Sequence, residues 1–393
     1  MKPTGTGLRS VVLVALLLGI ISPIAAGLIQ TGRAAFGLMP VVGAHGSGLE
    51  VWRSLCALPG FWTSVRLTLW IGFAATFLSL TLATCFCATA HARMTGRSAA
   101  RWLAPLLAAP HTAVAIGLAF VLAPSGWIAR LLAPLVGWVR PPDLALINDP
   151  WGIALILGLM IKEIPFLLLV MLAALSQIPV QQHMAAARGL GYRRSVVWVK
   201  IIAPQVWPLI RLPVLVVLAY SLSTVEMGII LGPSNPPVFS VFVMRLFMAP
   251  DLAMILPASA GALMLAFLMG VASATLFVAE RLVRYTGLWW IRAGGRSSTV
   301  KPLLRIASLC VVALFVIGAL AMVSLVFWSL AWRWPWPSML PETWSFQPWR
   351  NAAGVLGSAL GNTLLIAGAS VFVSLALAIL WLEGEDRRGR GRA

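Results

Sequence analysis

Lys162 and Glu163 are adjacent inside the apolar run 151–176, and Glu226 lies near the end of the run 208–231. Charges among hydrocarbon side chains are expensive, so they either line a path for a polar solute or pair with each other to hold helices together. The structural alternative is a Lys–Glu or Arg–Glu pair, with Arg211 placed to snorkel from the start of the second run. Pro165 removes a backbone donor two residues after Glu163 and is expected to open the helix at that depth. Other chemistry lacks its parts. His45, His91, His111 and His183 are scattered, and Cys56, Cys85, Cys87 and Cys310 form no C-x-x-C pair, so no metal site is expected. Cys85 and Cys87 face different sides of an apolar run and read as packing. No G-x-x-x-x-G-K-[ST] loop occurs, nor any Gly-Lys dipeptide, so the chain has no P-loop of its own. No outer segment combines paired carboxylates with a nearby histidine. The expectation is a chain without catalytic, cofactor-binding or metal-binding residues.

The elements that must position the three charges follow from composition. Sixty per cent of the 393 residues are hydrophobic and 10% are charged, against roughly 25% charged in soluble domains. Runs of about 20 apolar residues suit a bilayer. They occur at about 8–30, 64–90, 102–123, 151–176, 208–231, 254–279, 303–330 and 355–382. The expected fold is all-α, a polytopic transmembrane bundle of about eight spans. The start, with Lys2 and Arg9 before an apolar core and Ser22-Pro-Ile-Ala-Ala-Gly27, has the form of a signal peptide. The spans that follow make an uncleaved first helix the expected reading. Trp127–Val139 is shorter, carries Pro134, and reads as re-entrant or interfacial.

Orientation comes from the basic residues. With the N-terminus inside, the inner segments hold Lys2, Arg9, Arg93, Arg97, Arg101, Arg188, Arg193, Arg194, Lys200, Arg281, Arg284, Arg292, Arg296, Lys301, Arg305, Arg387, Arg388, Arg390 and Arg392. The outer segments hold only Arg33, Arg53, Arg130, Arg140, Arg245, Arg333 and Arg350. This asymmetry follows the positive-inside rule and accounts for the net charge of +18 without nucleic acid. Both termini are therefore expected in the cytoplasm. Trp332, Trp334, Trp336, Trp344 and Trp349 then fall outside, as an interfacial aromatic belt or, in the alternative, a ligand-stacking cluster.

An internal repeat divides the chain. Thr68, Leu69, Phe77, Ser79, Leu80 and Leu82 match Thr363, Leu364, Phe372, Ser374, Leu375 and Leu377 at a constant offset. Spans seven and eight thus read as a second copy of spans one and two. The basic, Gly/Ser-containing segment Arg292–Lys301 separates the copies.

The inner segment 177–207 is unlike the others. Ala185-Ala186-Ala187-Arg188 favours helix, Gly191 permits a turn at positive φ, and Ser195–Ile202 forms a second apolar piece that Pro204 is expected to stop. The pattern reads as a helix–turn–helix at the membrane surface. It resembles the cytoplasmic signature of ABC importer permeases: Glu-Ala-Ala, three residues, Gly, nine residues, Ile, one residue, Leu-Pro. Gly191 aligns Ala186 and Ala187 with the two alanines, Ile201 with the isoleucine and Pro204 with the proline. Ala185 stands at the glutamate position and Ala203 at the leucine position, which removes one polar anchoring contact. Tyr220–Glu226 and Leu231–Pro237 further resemble fused two-half permeases of the thiamine and iron(III) group, nearest its thiamine-permease-like branch. The likeness runs over about residues 1–290 and part of 300–382.

The resemblance implies the permease subunit of an ATP-driven importer in a bacterial inner membrane. Loop 184–204 would dock on separate ABC ATPase subunits, which carry ATP and Mg, and a periplasmic binding protein would deliver a small solute. Membrane lipid is the remaining partner expected. The alternative transport class is an ion-coupled secondary carrier without an ATPase; it usually shows inverted repeats, whereas the copies here are parallel. Residues 1–291 form one six-span half, 292–302 a cytoplasmic linker, and 303–393 two spans of a second half. The final segment Glu383–Ala393 falls where the second copy's first inner loop should begin. The expectation is a truncated or partial product, the alternatives being assembly with a second permease chain or completion by a separate polypeptide. Single cysteines at 188–200 and 281–301 should resist an impermeant thiol reagent in intact cells, while cysteines at 332–349 react; labelling of 188–200 from outside would reverse the orientation.

Overall fold

The computed structural model describes residues 5–46, 48–90, 96–144, 146–292, 294–295 and 300–390. Lys2, His91, Arg93, Arg296, Arg392 and part of the 292–302 linker lie outside them. Among the described residues, eight helices are long and apolar enough to cross a membrane. α1 (Gly5–Leu16) continues through a π-helical turn into α2 (Ser22–Ala35), and a short outer helix, α3 (Glu50–Ala57), precedes α4 (Phe61–Ala90). α5 (Gly96–Ala108), α6 (His111–Leu122) and α7 (Trp127–Val136) form a bent series, followed by α8 (Ile153–Leu175). The inner loop supplies α9 (Val180–Gly189) and α10 (Arg194–Val197), and α11 (Ala203–Ser223) re-enters the bundle. α12 (Glu226–Leu231) and α13 (Phe239–Phe247) follow before α14 (Ile255–Arg292). α15 (Val300–Leu330), the antiparallel pair β1 (Ala331–Arg333) and β2 (Thr343–Trp344), and α16 (Gln347–Arg390) complete the order.

The bundle is arranged around α8. Leu155, Leu159, Ile161, Ile164, Leu167 and Leu168 are fully buried, so this helix is apolar on every side and has neighbours on every side. α4, α5, α6, α11, α12 and α15 all pack on it. That enclosure explains why Pro165 does not open the helix: α8 runs unbroken from Ile153 to Leu175. Pro110 acts differently. Ala109 and Pro110 leave the helix, so the expected third span 102–123 is split, and the stretch long and apolar enough to cross is instead His111–Val136, which takes in most of the segment expected to be re-entrant or interfacial. A proline disfavours helical geometry at the residue before it, which moves the break to Ala109.

Span seven belongs by sequence to the second copy, yet α15 packs on α4, α6 and α8 of the first. Small residues make the approach possible. A Cβ on Gly117 would strike the backbone of Ala321, and Ser324 Oγ donates to the Gly117 carbonyl at 3.2 Å. One end of the contact is fastened by Thr89 Oγ1 and Ser308 Oγ, 2.7 Å apart. Such close backbone contacts are what hold helices together where lipid is as apolar as leucine. The reciprocal contact is present: α1 packs on α16, as α15 packs on α4. Each copy's first span therefore meets the second span of the other.

The outer tryptophans divide into two groups. Trp332, Trp344 and Trp349 are exposed, as a belt requires. Trp334 and Trp336 instead lie 5.0 and 5.5 Å from the guanidinium of buried Arg130 on α7. Arg130 also donates to the carbonyls of Ser125, Pro335 and Ser338 at 2.6–2.8 Å. Replacing Gly117 by Leu forces α15 away from α6 and should destabilise the chain by about 1–3 kcal/mol, read as a fall in the detergent melting temperature; an unchanged melting temperature would mean that this contact does not hold the seventh span.

Candidate functional site

The inner loop is built as its residues dictate, with one correction. Val180, Met184 and Ala187 recur at helical spacing and form the buried face of α9: Val180 joins the main core, and Met184 and Ala187 pack with Val197 and the half-buried Ile201. The opposite face leaves Ala185, Ala186, Arg188 and Leu190 exposed. Gly191 adopts φ +82°, the left-handed region where a Cβ is costly, and the chain turns there into α10. Pro204 does not stop the second piece. Helix runs from Arg194 through a π-helical turn, Trp198–Ile202, straight into α11. A proline ring crowds the carbonyl four residues before it, and the wider π turn relieves that clash while sparing the missing donor.

Lys200 lies inside this turn and is buried, although sequence alone makes it one basic residue of an inner surface. Its ammonium donates to the carbonyls of Trp290 at 3.2 Å and Gly295 at 3.0 Å, and sits 4.5 Å from the Trp290 ring. The loop is thereby tied to the inner end of α14 and to the segment between the two copies.

Lys162 and Glu163 are the tenth and eleventh of the 23 residues of α8, at mid-depth, and both are buried. They point apart and do not pair with each other. Lys162 Nζ donates to the carbonyls of Leu106, Leu107 and Ala109 at 2.7, 3.1 and 2.7 Å. These are the acceptors freed where α5 ends at the Ala109–Pro110 break. Glu163 accepts from Ser79 Oγ of α4 at 2.8 Å and from Ser221 Oγ of α11. Three helices thus meet on one carboxylate. A separate inter-helix ion pair joins Arg211 of α11 to Glu280 of α14 at 3.9 Å.

Glu226 is placed differently. α11 ends at Ser223, Thr224 is extended, and Glu226 opens α12. The Thr224 carbonyl accepts from Ser240 Oγ at 2.6 Å, and Thr112 Oγ1 donates to Glu226 at 2.5 Å. The His111 and Tyr220 rings lie beside this contact, 4.8 Å between centroids. Glu226 itself is exposed. The structure therefore brings two helix breaks together, one at Ala109–Pro110 and one at Thr224–Val225, and separates the three charges into two buried ties and one open carboxylate. Sequence placed Ser79 in the internal repeat and Ser221 in the Tyr220–Glu226 stretch but gave neither a charge to hold, and Thr112 carried no signal.

The bundle thus carries a surface loop that enters its central helices without a break. It shares its fold with a chain of the crystal structure of a bacterial alginate ABC transporter in complex with an alginate pentasaccharide-bound periplasmic protein: TM-score 0.52, 19% identity, over 70% of this chain and 92% of that one. In sequence the chain is 30% identical over 284 residues, 72% of its length, to the inner membrane ABC transporter permease protein YnjC of Escherichia coli strain K12. It spans about half, 49%, of that relative. No family model matches the chain. The chain is thus similar in sequence to an ABC transporter permease and in fold to a chain of an ABC transporter.

Lys162→Met leaves the α5 carbonyls without their donor and should lower stability by about 1–3 kcal/mol, measured by detergent melting. A melting temperature equal to wild type would refute the buried tie and return Lys162 to the candidates for a solute path.

Proposed function

We propose that the chain is a permease subunit of an ABC importer in a bacterial inner membrane, coupled through loop 184–204 to a separate ATPase. The observation that carries this is the loop itself. α9 exposes a flat face of Ala185 and Ala186 beside Arg188, Gly191 turns at φ +82°, and α10 passes without a break into a span. Small side chains permit close approach of a partner, and a continuous helix moves as a rigid body, so displacement at the surface reaches α11. Ala187 and Ile201 hold the loop from within, and Pro204 marks its junction with the span. Hydrolysis of ATP, with its Mg, belongs to the partner, and this chain performs no reaction.

The solute path is the region of Glu226, with Lys162 and Glu163 as the buried ties that keep the surrounding helices in place. A periplasmic binding protein hands over a small solute on the outer side, where α12 and α13 lie. The N-terminus and the inner loop face the cytoplasm, as does the end of α16. Residues 1–291 act as the first half and 303–393 as part of a second, joined by the cytoplasmic segment 292–302.

Gly191→Val forces a β-branched residue into positive φ, where such side chains are genuine outliers. The variant should insert normally and still bind detergent-solubilised partner weakly, but lose solute-stimulated ATP hydrolysis in the assembled transporter. Wild-type stimulation in a correctly inserted Gly191→Val chain would remove the coupling role. Failure of the wild-type chain to co-purify with any ATPase would remove the importer reading and favour an ion-coupled carrier.

A further inference from the structure

A cavity of about 100 Å³ lies between α4, α8 and the start of α11, directly behind the inner loop. Leu80 and Cys87 of α4, Met171 and Leu175 of α8, and Val206 and Ile210 of α11 make its wall apolar. Trp198 and Ala203, where the π turn meets α11, also line it. Leu80, Thr84, Ala203 and Trp207 are half-buried, so the space is reached from the surface of the bundle. An apolar cavity stays dry, and about 150 Å³ suffices for benzene. This smaller one suits a few methylenes of a straight chain.

Its polar groups are unequal. Thr84 Oγ1 donates to the Leu80 carbonyl at 2.7 Å and is spent within α4. The indole Nε1 of Trp207 is buried and has no partner among the described residues. A buried donor left unpaired is costly, so an occupant that brings an acceptor gains a hydrogen bond there.

Depth identifies the acceptor. Ser221 of α11 donates to Glu163 at the middle of α8, and the two mark mid-depth. Trp207 precedes Ser221 by 14 residues of α11, about 21 Å at 1.5 Å per residue. Half of the hydrocarbon is about 15 Å. The indole therefore lies at the level of headgroups and ester linkages, where tryptophan is enriched, on the side of the inner loop. From there the cavity runs toward Leu80, the neighbour of mid-depth Ser79.

We infer that this cavity binds one acyl chain of a membrane phospholipid, whose ester carbonyl accepts from Trp207 Nε1. The site goes beyond the permease reading and does not depend on it. Its room comes from a small residue: the importer signature has leucine where this chain has Ala203, and three further carbons there would extend into the space. A bound chain packs against Trp198 and Ala203 and so braces the junction between the loop and its span.

The test uses the full chain in nanodiscs of phosphatidylethanolamine and phosphatidylglycerol, with a little phosphatidylglycerol carrying a diazirine in one acyl chain. Photo-crosslinks are mapped by mass spectrometry. Cys87 and Met171 are buried, so crosslinks at them report the cavity and not the lipid around the bundle. Unlabelled ester-linked lipid should suppress these crosslinks about threefold or more better than its ether-linked analogue, the worth of one hydrogen bond. Trp207→Phe keeps a ring and removes the donor, and should bring that ratio close to one. Ala203→Leu should abolish crosslinks at Cys87 and Met171 without lowering the detergent melting temperature. Crosslinks confined to exposed residues overturn the inference, as do crosslinks at Cys87 and Met171 undiminished in Ala203→Leu. Equal competition by the ester and ether lipids, or an ester preference that survives Trp207→Phe, overturns it as well.

Discussion

Hydrocarbon offers no hydrogen-bond partner, so a chain that breaks its helices inside a bilayer must supply one for every group it frees. In this protein that constraint is met by side chains from neighbouring helices. Lys162 reaches from α8 to three carbonyls at the end of α5. Ser240 reaches from α13 to the Thr224 carbonyl where α11 ends. Both breaks therefore persist only while the helices around them stay packed, and α8 is the element they share. Its apolar surface on every side is the condition for the Lys162 contact, because the stem of the side chain crosses a region without water.

The inner loop extends the same logic to the membrane surface. Its three anchors differ in kind: an apolar face on α9 and α10, a glycine turn, and the Lys200 ammonium in the cradle of Trp290 and Gly295. Because the π turn at Trp198–Ile202 joins α10 to α11 without a hinge, the loop and the central bundle form one mechanical unit. On the proposed reading, force from an ATPase acts on that unit, and Lys200 passes part of it to the inner end of α14.

The relation between the two copies is one of exchange. α15 fills the groove of α4, α6 and α8, and α1 lies on α16. Gly117 and Ser324 make the first contact close enough to be specific, and Arg130 fastens the outer segment after α15 to α7. The copies read as successive in sequence are thus interlocked in space.

The residue order by itself determined the solvent, the helical type and the number of spans, though not the bounds of the third, because apolar length and the absence of charge are local properties. It also determined the turn at Gly191 and the position of the surface loop, since helix formers, a glycine and fixed spacing act within a few residues. The likeness to ABC importer permeases rested on that spacing. Whether each proline breaks or merely bends its helix was settled by packing: Pro165 is enclosed and tolerated, Pro110 is at a helix junction, and Pro204 follows a π turn. The fate of the charges was likewise tertiary. Lys162 and Glu163 are neighbours in sequence, but successive residues of a helix point to different sides, so one found carbonyls and the other hydroxyls. Glu226 remained open: Thr112 donates to it, and among the described residues no Lys or Arg side chain pairs with it, the Lys162 ammonium of neighbouring α8 being held by the α5 carbonyls. Partners contributed from 53 to 95 residues away, Ala109, Ser79, Ser221 and Gly295, cannot be assigned from local sequence, and only the folded bundle brings them into reach.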